Sequence, residues 1–354
     1  MTNILSRPAA LPSAGGGPRP AVQDGRGWLR TLAPYRQPRP ARGLAELAAT
    51  AAPFAALWLA AWLSLGHGYW LTLLLAVPAA GFLVRLFMIQ HDCGHGSFFG
   101  RRRADDWLGR AIGVVTLTPY GCWRRAHAVH HATSGHLDRR GVGDIGTLTV
   151  REYRQLPPWR RALYRLARDP VVLLVVGPPL LFVLKHRVPP AGLARSGAAW
   201  RSAMSTNLAI AAVIGLAAAL MGPRDFVLVH APIMWLASSV GVWLFYVQHQ
   251  YEHAYWERAE GWDAHTGALH GSSHLELPAV LRWLTANIGV HHVHHLCSRI
   301  PSYRLGEVLR DHPELRGLNR LTLGESLRCL RLALWDEDGR RMVGFREARA
   351  VVAA

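Results

Sequence analysis

The stretch Tyr69–His95 reads YWLTLLLAVPAAGFLVRLFMIQHDCGH. Its first part, Tyr69–Ile89, is an apolar run long enough to cross a bilayer, which takes about 20 residues. Its end, His91-Asp-Cys-Gly-His95, puts two imidazoles on one helical face, a turn apart. The run Phe226–Val247 repeats the construction and ends in His249-Gln-Tyr-Glu-His253. Two further clusters follow the same logic: His127-Ala-Val-His130-His131 and His291-His292-Val-His294-His295. Eleven of the 19 histidines thus fall into four clusters spaced H-x-x-x-H or H-x-x-H-H, each able to aim two or three rings at one point.

Imidazole suits iron, zinc and copper. A tetrahedral zinc takes about four ligands, so this many histidines point to two metals in an all-nitrogen cage. Iron is expected rather than zinc, because neighbouring redox ions bind O2 and take up electrons stepwise, whereas Zn2+ has no redox chemistry. The clusters follow the ends of membrane helices, where an acyl chain can enter from the lipid. Together these features point to oxidation of an unactivated C–H bond in a lipid, chemistry that the metal supplies and the protein positions. Asp92 adjoins His91, Glu252 adjoins His253, and Asn287 lies one turn before His291; a ligating histidine usually donates its other N–H to such a partner. His292 is off the face shared by His291, His294 and His295 and is read as a neighbour that sets a tautomer. The unclustered His67, His136, His186, His230, His265, His270, His274 and His312 are read as ordinary interface or loop residues.

The chain has 354 residues and is 50% hydrophobic, but its apolar residues gather into four long runs: Leu47–Leu65, Tyr69–Ile89, Ala203–Met221 and Phe226–Val247. They are expected to be helices, since a bilayer offers unsatisfied backbone no partner. The net charge of +17 would suggest nucleic acid in a soluble protein. Here the positive-inside rule accounts for it. Seven arginines from Arg7 to Arg42 precede the first run, and Arg101, Arg102, Arg103 and Arg110 follow the second, while Gly66–Gly68 carries no Lys or Arg. Both termini and all long loops are therefore assigned to the cytoplasmic side. Cys93, Cys122, Cys297 and Cys329 show no C-x-x-C pairing and are read as reduced, buried and apolar in role.

The expected fold is an all-α integral membrane protein: four transmembrane helices in two hairpins, with a cytoplasmic helical cap holding the metal site. Residues 1–42 are rich in Pro, Gly and Arg, lack the apolar core of a signal peptide, and read as a disordered cytoplasmic tail. Residues 43–307 form the working domain and 308–354 a cytoplasmic C-terminal segment. Trp107–Tyr120 is too short to span and reads as interfacial. Val171–Leu184 is apolar but broken by Pro178-Pro179. If it crossed, three spans would separate the second histidine cluster from the third and put them on opposite faces, so it is expected to dip into the membrane or lie on it.

At the clusters the chain resembles the membrane fatty acid desaturases. The matching stretches are His91–Phe99 (HDCGHGSFF), His127–Gly135 (HAVHHATSG), Gln248–Trp256 (QHQYEHAYW) and Gly271–Leu305, which contains NIGVHHVHHLCSRIPSYRL. The last resembles the bacterial acyl-lipid branch more than the animal acyl-CoA branch, and the likeness runs from about Gly43 to Glu307. It implies four spans, a cytoplasmic histidine-ligated di-iron centre, O2 as co-substrate, and removal of two hydrogens from an acyl lipid. The implied ligands are His91, His95, His127, His130, His131, His253, His291, His294 and His295. His249 stands where the animal branch has an asparagine that reaches metal through water, so it can bind directly or from behind. No His-Pro-Gly-Gly of a fused cytochrome occurs in the chain. Electrons are therefore expected from a separate protein, a ferredoxin steered by the basic surface. A hydroxylase or ketolase on the same scaffold is the nearest alternative. A metal transporter fits less well, since transport sites lie near the midplane and these ligands follow helix ends. A bacterial inner membrane is the expected location.

Overall fold

The computed structural model describes residues 25–350. The chain is mostly helical. Five helical segments are long and apolar enough to cross a membrane: Pro40–His67, Tyr69–His95, Val172–Leu193, Gly197–Met221 and Pro223–His249. The chain is an integral membrane protein by this pattern. Its surface agrees, for Leu208 and Leu220 are each 74% exposed and Trp70 68%, exposure that water penalises and lipid does not.

Helices α1 (Gly25–Thr31), α2 (Pro40–Leu63) and α3 (Tyr69–His95) open the described chain. Pro40 sits in the first turn of α2, where its missing N–H costs nothing. The short turn Ser64–Gly68 folds α2 back on α3. Helix α3 stops at Gly96, whose φ of +67° is a left-handed cap that glycine adopts freely. Its amide reaches back to the Cys93 carbonyl, while Ser97 N–H reaches that of Asp92. This stop fixes His91 and His95 in the last two turns.

Two amphipathic helices follow, α4 (Arg102–Val115) and α5 (Tyr120–Thr133). The expected interfacial segment Trp107–Tyr120 is the greater part of α4 plus the turn into α5. Short helices α6 (Val150–Gln155), α7 (Pro158–Ala167) and α8 (Gly177–Val183) lead to the long α9 (Gly197–Met221) and α10 (Pro223–His249). A π-helical turn, Val172–Val176, precedes α8. Beyond α10 lie α11 (Ala264–His270), α12 (Ala279–Leu284), α13 (His291–Leu296), α14 (Ser302–Asp311), α15 (Leu323–Cys329) and α16 (Glu347–Ala350). The few strands are short. Leu148–Thr149 pairs in parallel with Leu334–Asp336, which pairs antiparallel with Arg341–Val343. His274–Leu275 pairs in parallel with Arg320–Leu321.

Residues 25–42 differ from the expected disordered tail. They form α1, a 3-10 turn and the start of α2, because Trp28 and Leu32 are buried against Val293, Leu296 and Ile300 around the fourth cluster. Residues 1–24 of that tail lie outside the described residues. The main core joins α3 to α10 through small side chains, with Ala76, Ala79, Val229 and Ile233 fully buried, as close helix packing in lipid favours. Arg85, buried in α3, ties three elements together. Its Nε donates to Thr50 Oγ1 at 3.1 Å, its Nη2 pairs with Glu46, its Nη1 donates to the Trp283 carbonyl, and its guanidinium lies 4.0 Å over the Trp283 ring. All four cysteines are free and buried.

Candidate metal centre

Four helix ends converge on one point and bring nine histidines with them. One group is His91, His95, His127, His131 and His294; the other is His130, His249, His291 and His295. Within each group the donor atoms all lie within 4.8 Å of one another.

The partition follows from helical geometry. Successive residues point about 100° apart around a helix, while i and i+4 are nearly aligned. In α5, His127 and His131 therefore share one group and His130 turns to the other. In α13 the fork is reversed: His291 and His295 go to the second group and His294 to the first. The H-x-x-H-H spacing is thus a bridge between two sites.

The donor nitrogens sit at ligand spacing. Nε2 atoms are 3.1 Å apart for His127 with His95, His131 with His127, and His294 with His131. In the second group the separations are 3.1 Å (His130 with His249), 3.0 Å (His291 with His249) and 3.1 Å (His295 with His291). Nitrogens at right angles around an ion about 2.1 Å away stand roughly 3.0 Å apart, whereas a tetrahedral angle needs roughly 3.4 Å. Five donors in one group also exceed a tetrahedral set. The residues fit two metal ions, one with five histidine donors and one with four.

Neighbouring groups set ring orientation. His249 Nδ1 donates to the Gly271 carbonyl at 3.0 Å, which leaves its Nε2 lone pair facing the second group. Asp92, buried, lies 3.4 Å from His91 Nδ1 and accepts the Ser302 amide at 2.7 Å, so it links the end of α3 to α14. Trp123 stacks on His127, centroids 4.6 Å apart; its place four residues before His127 on α5 is a signal that the sequence already carried. Gly271 acts through its backbone and leaves no such signal.

Some expected residues are not brought to the cage. Helix α10 ends at His249, Gln250 leaves the helical region, and His253 is exposed outside both groups. Glu252 is exposed as well and faces Arg341 at 3.5 Å. Asn287 holds a left-handed turn with φ of 57° and its side chain donates to the Ser302 carbonyl. His292 is buried away from the cage with its Nε2 2.9 Å from the Leu315 carbonyl.

Burial pushes His127, His130, His131, His291, His294 and His295 well below the ordinary imidazole value, and neighbouring rings push the same way. Burial, with His274 adding to it, takes His292 to about 3. These six rings are therefore neutral at neutral pH and ready to ligate. The sign for stability follows: below the unfolded value of about 6.5 the unfolded chain binds protons that the folded chain refuses. The thermal midpoint of metal-free protein is expected to fall steadily from about pH 7 to about pH 5. A midpoint independent of pH across that window would contradict the buried, neutral cage.

Against the cage lies a cavity of about 570 Å³ whose lining includes His91, His127 and His291. Its other walls are mostly apolar, with Leu83 and Phe87 from α3, Phe182 from α8 and Phe245 from α10. Its size is that of a small-molecule site.

A family model described as fatty acid desaturase matches residues 68–325. A fatty acid desaturase of Bacillus subtilis (strain 168) is 43% identical over 322 residues, which is 91% of each chain. An sn-1 acyl-lipid omega-3 desaturase (ferredoxin) of Synechocystis sp. is 28% identical over 231 residues, 62% of this chain and 61% of that one. An sn-1 oleoyl-lipid 12-desaturase of the same organism is 28% identical over 234 residues, 63% of each.

Proposed function

The chain belongs to the fatty acid desaturase family and is a desaturase enzyme, and from that premise we propose O2-dependent insertion of a double bond into a lipid acyl chain at a di-iron centre. The observation that carries this reading is the convergence of nine histidine donors at right-angle spacing beside an apolar cavity. Two irons bound there would supply the redox chemistry that activates O2 and breaks an unactivated C–H bond. The protein's own residues do the rest. His91, His95, His127, His131 and His294 would hold one ion, and His130, His249, His291 and His295 the other. Asp92 and the Gly271 carbonyl keep two of the rings aimed. Leu83, Phe87, Phe182 and Phe245 hold the hydrocarbon and keep water out.

Removing two hydrogens while O2 becomes two waters takes up two electrons and two protons. The electrons come from a separate donor. The ferredoxin named for the Synechocystis relative suits the basic surface of this chain.

Four crossings and a cap on the cytoplasmic side fit this reading. Both ends of the segment around α8 are tied to cap elements: Arg168 donates to the Gly146 carbonyl, and Arg187 to that of Leu117. Because the end of α3 and the end of α10 meet in one cage, the chain from His95 to His249, α10 included, crosses an even number of times. Of the five apolar segments, Val172–Leu193 is then the one that dips and returns. A Lys185→Cys variant is expected to react with a membrane-impermeant maleimide only from the cytoplasmic face; labelling from outside alone would overturn the four-crossing arrangement.

The function is tested by expressing the chain with a ferredoxin and its reductase and analysing total fatty acids with and without O2. A new unsaturated acid that requires O2 is expected. Hydroxy or oxo acids in its place would make the enzyme an oxygenase.

A further inference from the structure

One wall of the cavity is made by α10, through Met234, Ala237, Ser238, Gly241, Phe245 and Gln248. Gly241 lies inside a helix, where glycine costs about 1 kcal/mol relative to alanine. Some other helical glycines here have a steric reason. A Cβ on Gly109 would come within 2.3 Å of Tyr120, and one on Gly113 within 2.5 Å of the Thr118 carbonyl. A Cβ on Gly241 meets no heavy atom within 4 Å among the described residues. Its backbone has no positive φ to demand glycine either. The space beside it is the cavity. Gly215 of α9 is equally unopposed, but it is exposed on the outer surface.

Gly241 stands eight residues before His249, roughly 12 Å down the helix from the cage, and Met234 roughly 22 Å down. The cavity therefore continues past Gly241 into a largely apolar end with Ala237 and Met234 on α10, where the Ser238 hydroxyl is turned back onto the Trp235 carbonyl. Its ionisable lining away from the cage, Asp144, Lys185 and His186, comes from loops tied to the cap. Only hydrocarbon suits the deep end.

Resting on the desaturase reading, we propose that Gly241 is a specificity-determining residue: the methyl-terminal part of the acyl chain runs past it, and the volume left there sets the longest chain accepted. A larger side chain at this position closes the cavity between the two depths and favours shorter substrates.

The test compares wild type, Gly241→Ala, Gly241→Phe and the control Gly215→Phe in cells supplied with the electron donor and fed lauric, myristic, palmitic and stearic acids together. The ratio of short to long unsaturated products is expected to rise at least about tenfold in Gly241→Phe, since pocket fit discriminates by about 10- to 200-fold per methylene. Gly241→Ala should move it the same way by less, and Gly215→Phe should leave it unchanged. Wild-type ratios in a Gly241→Phe protein of normal yield and iron content would overturn the proposal. Should that variant fail to accumulate, Gly241→Ala carries the product test. It is joined by thermal stabilisation of purified, metal-free protein with laurate and stearate. Wild type is expected to be stabilised more by stearate, and Gly241→Ala to lose part of that increment while keeping the response to laurate. An unchanged stearate increment would sink the idea. Absence of any unsaturated product from wild type would instead overturn the desaturase reading, and the stabilisation series would still decide whether Gly241 limits chain length.

Discussion

Replacing His130 with alanine is expected to empty the second half of the cage while leaving the protein in the membrane. His130 sits on α5, outside the five apolar segments, so insertion does not depend on it. Its Nε2 lies 3.1 Å from that of His249, in a group that has only four donors among the described residues. Loss of one leaves three, and the remaining rings point at a site they no longer enclose. Even partners that merely orient ligands cost about 10- to 100-fold in affinity or activity when removed. Turnover should therefore fall by at least about 100-fold, and the iron content of purified protein by about half or more. The decisive comparison is His253→Ala, which by its exposed position should keep both iron and activity. Full iron content in His130→Ala, or loss of iron in His253→Ala, would falsify the assignment of the second group.

Replacing Arg85 with alanine is expected to be the most damaging single change away from the cage. The Glu46 carboxylate would stay buried without its guanidinium partner, and the bonds to Thr50 and to the Trp283 carbonyl would go with it. Removing one partner of a buried pair costs about 3–5 kcal/mol, and the exposed Arg42, which also reaches Glu46 at 2.7 Å, places the loss near the lower figure. Trp283 lies just before the turn into α13, so the damage should spread to His291, His294 and His295 and lower iron retention. The measurement is the thermal midpoint in detergent together with iron content. A double change, Arg85→Met with Glu46→Leu, should recover much of the loss, because replacing both charges with apolar groups removes the unpaired carboxylate. If Arg85→Ala alone unfolds at the wild-type midpoint, the three-element tie has no energetic weight.

How far the sequence could be read differs from element to element. The four histidine clusters and the long apolar runs are local patterns. Spacing alone puts the rings of each cluster on one helix, but the expectation that His291, His294 and His295 aim at one point does not hold: the structure sends His294 to one group and His291 and His295 to the other. His249 and His253 could not be ranked in this way. The H-x-x-x-H spacing assumes a helix through both, and α10 stops at His249, so the fourth residue on no longer returns to the same face. Residues 25–42 were misjudged from their Pro, Gly and Arg content, because what orders them is long-range burial of Trp28 and Leu32 against the fourth cluster.

The sequence by itself determined that long apolar helices are present, the histidine-rich clusters and the family. Each of these rests on residues within a few turns of one another, or on motifs matched one by one. The tertiary structure alone decided which nine imidazoles face each other, where the segment around α8 begins and ends, and that a cavity passes Gly241. Those facts depend on where helices stop and on how close distant elements approach. Such distances arise from packing and burial summed over the whole chain, and no local pattern of residues encodes them.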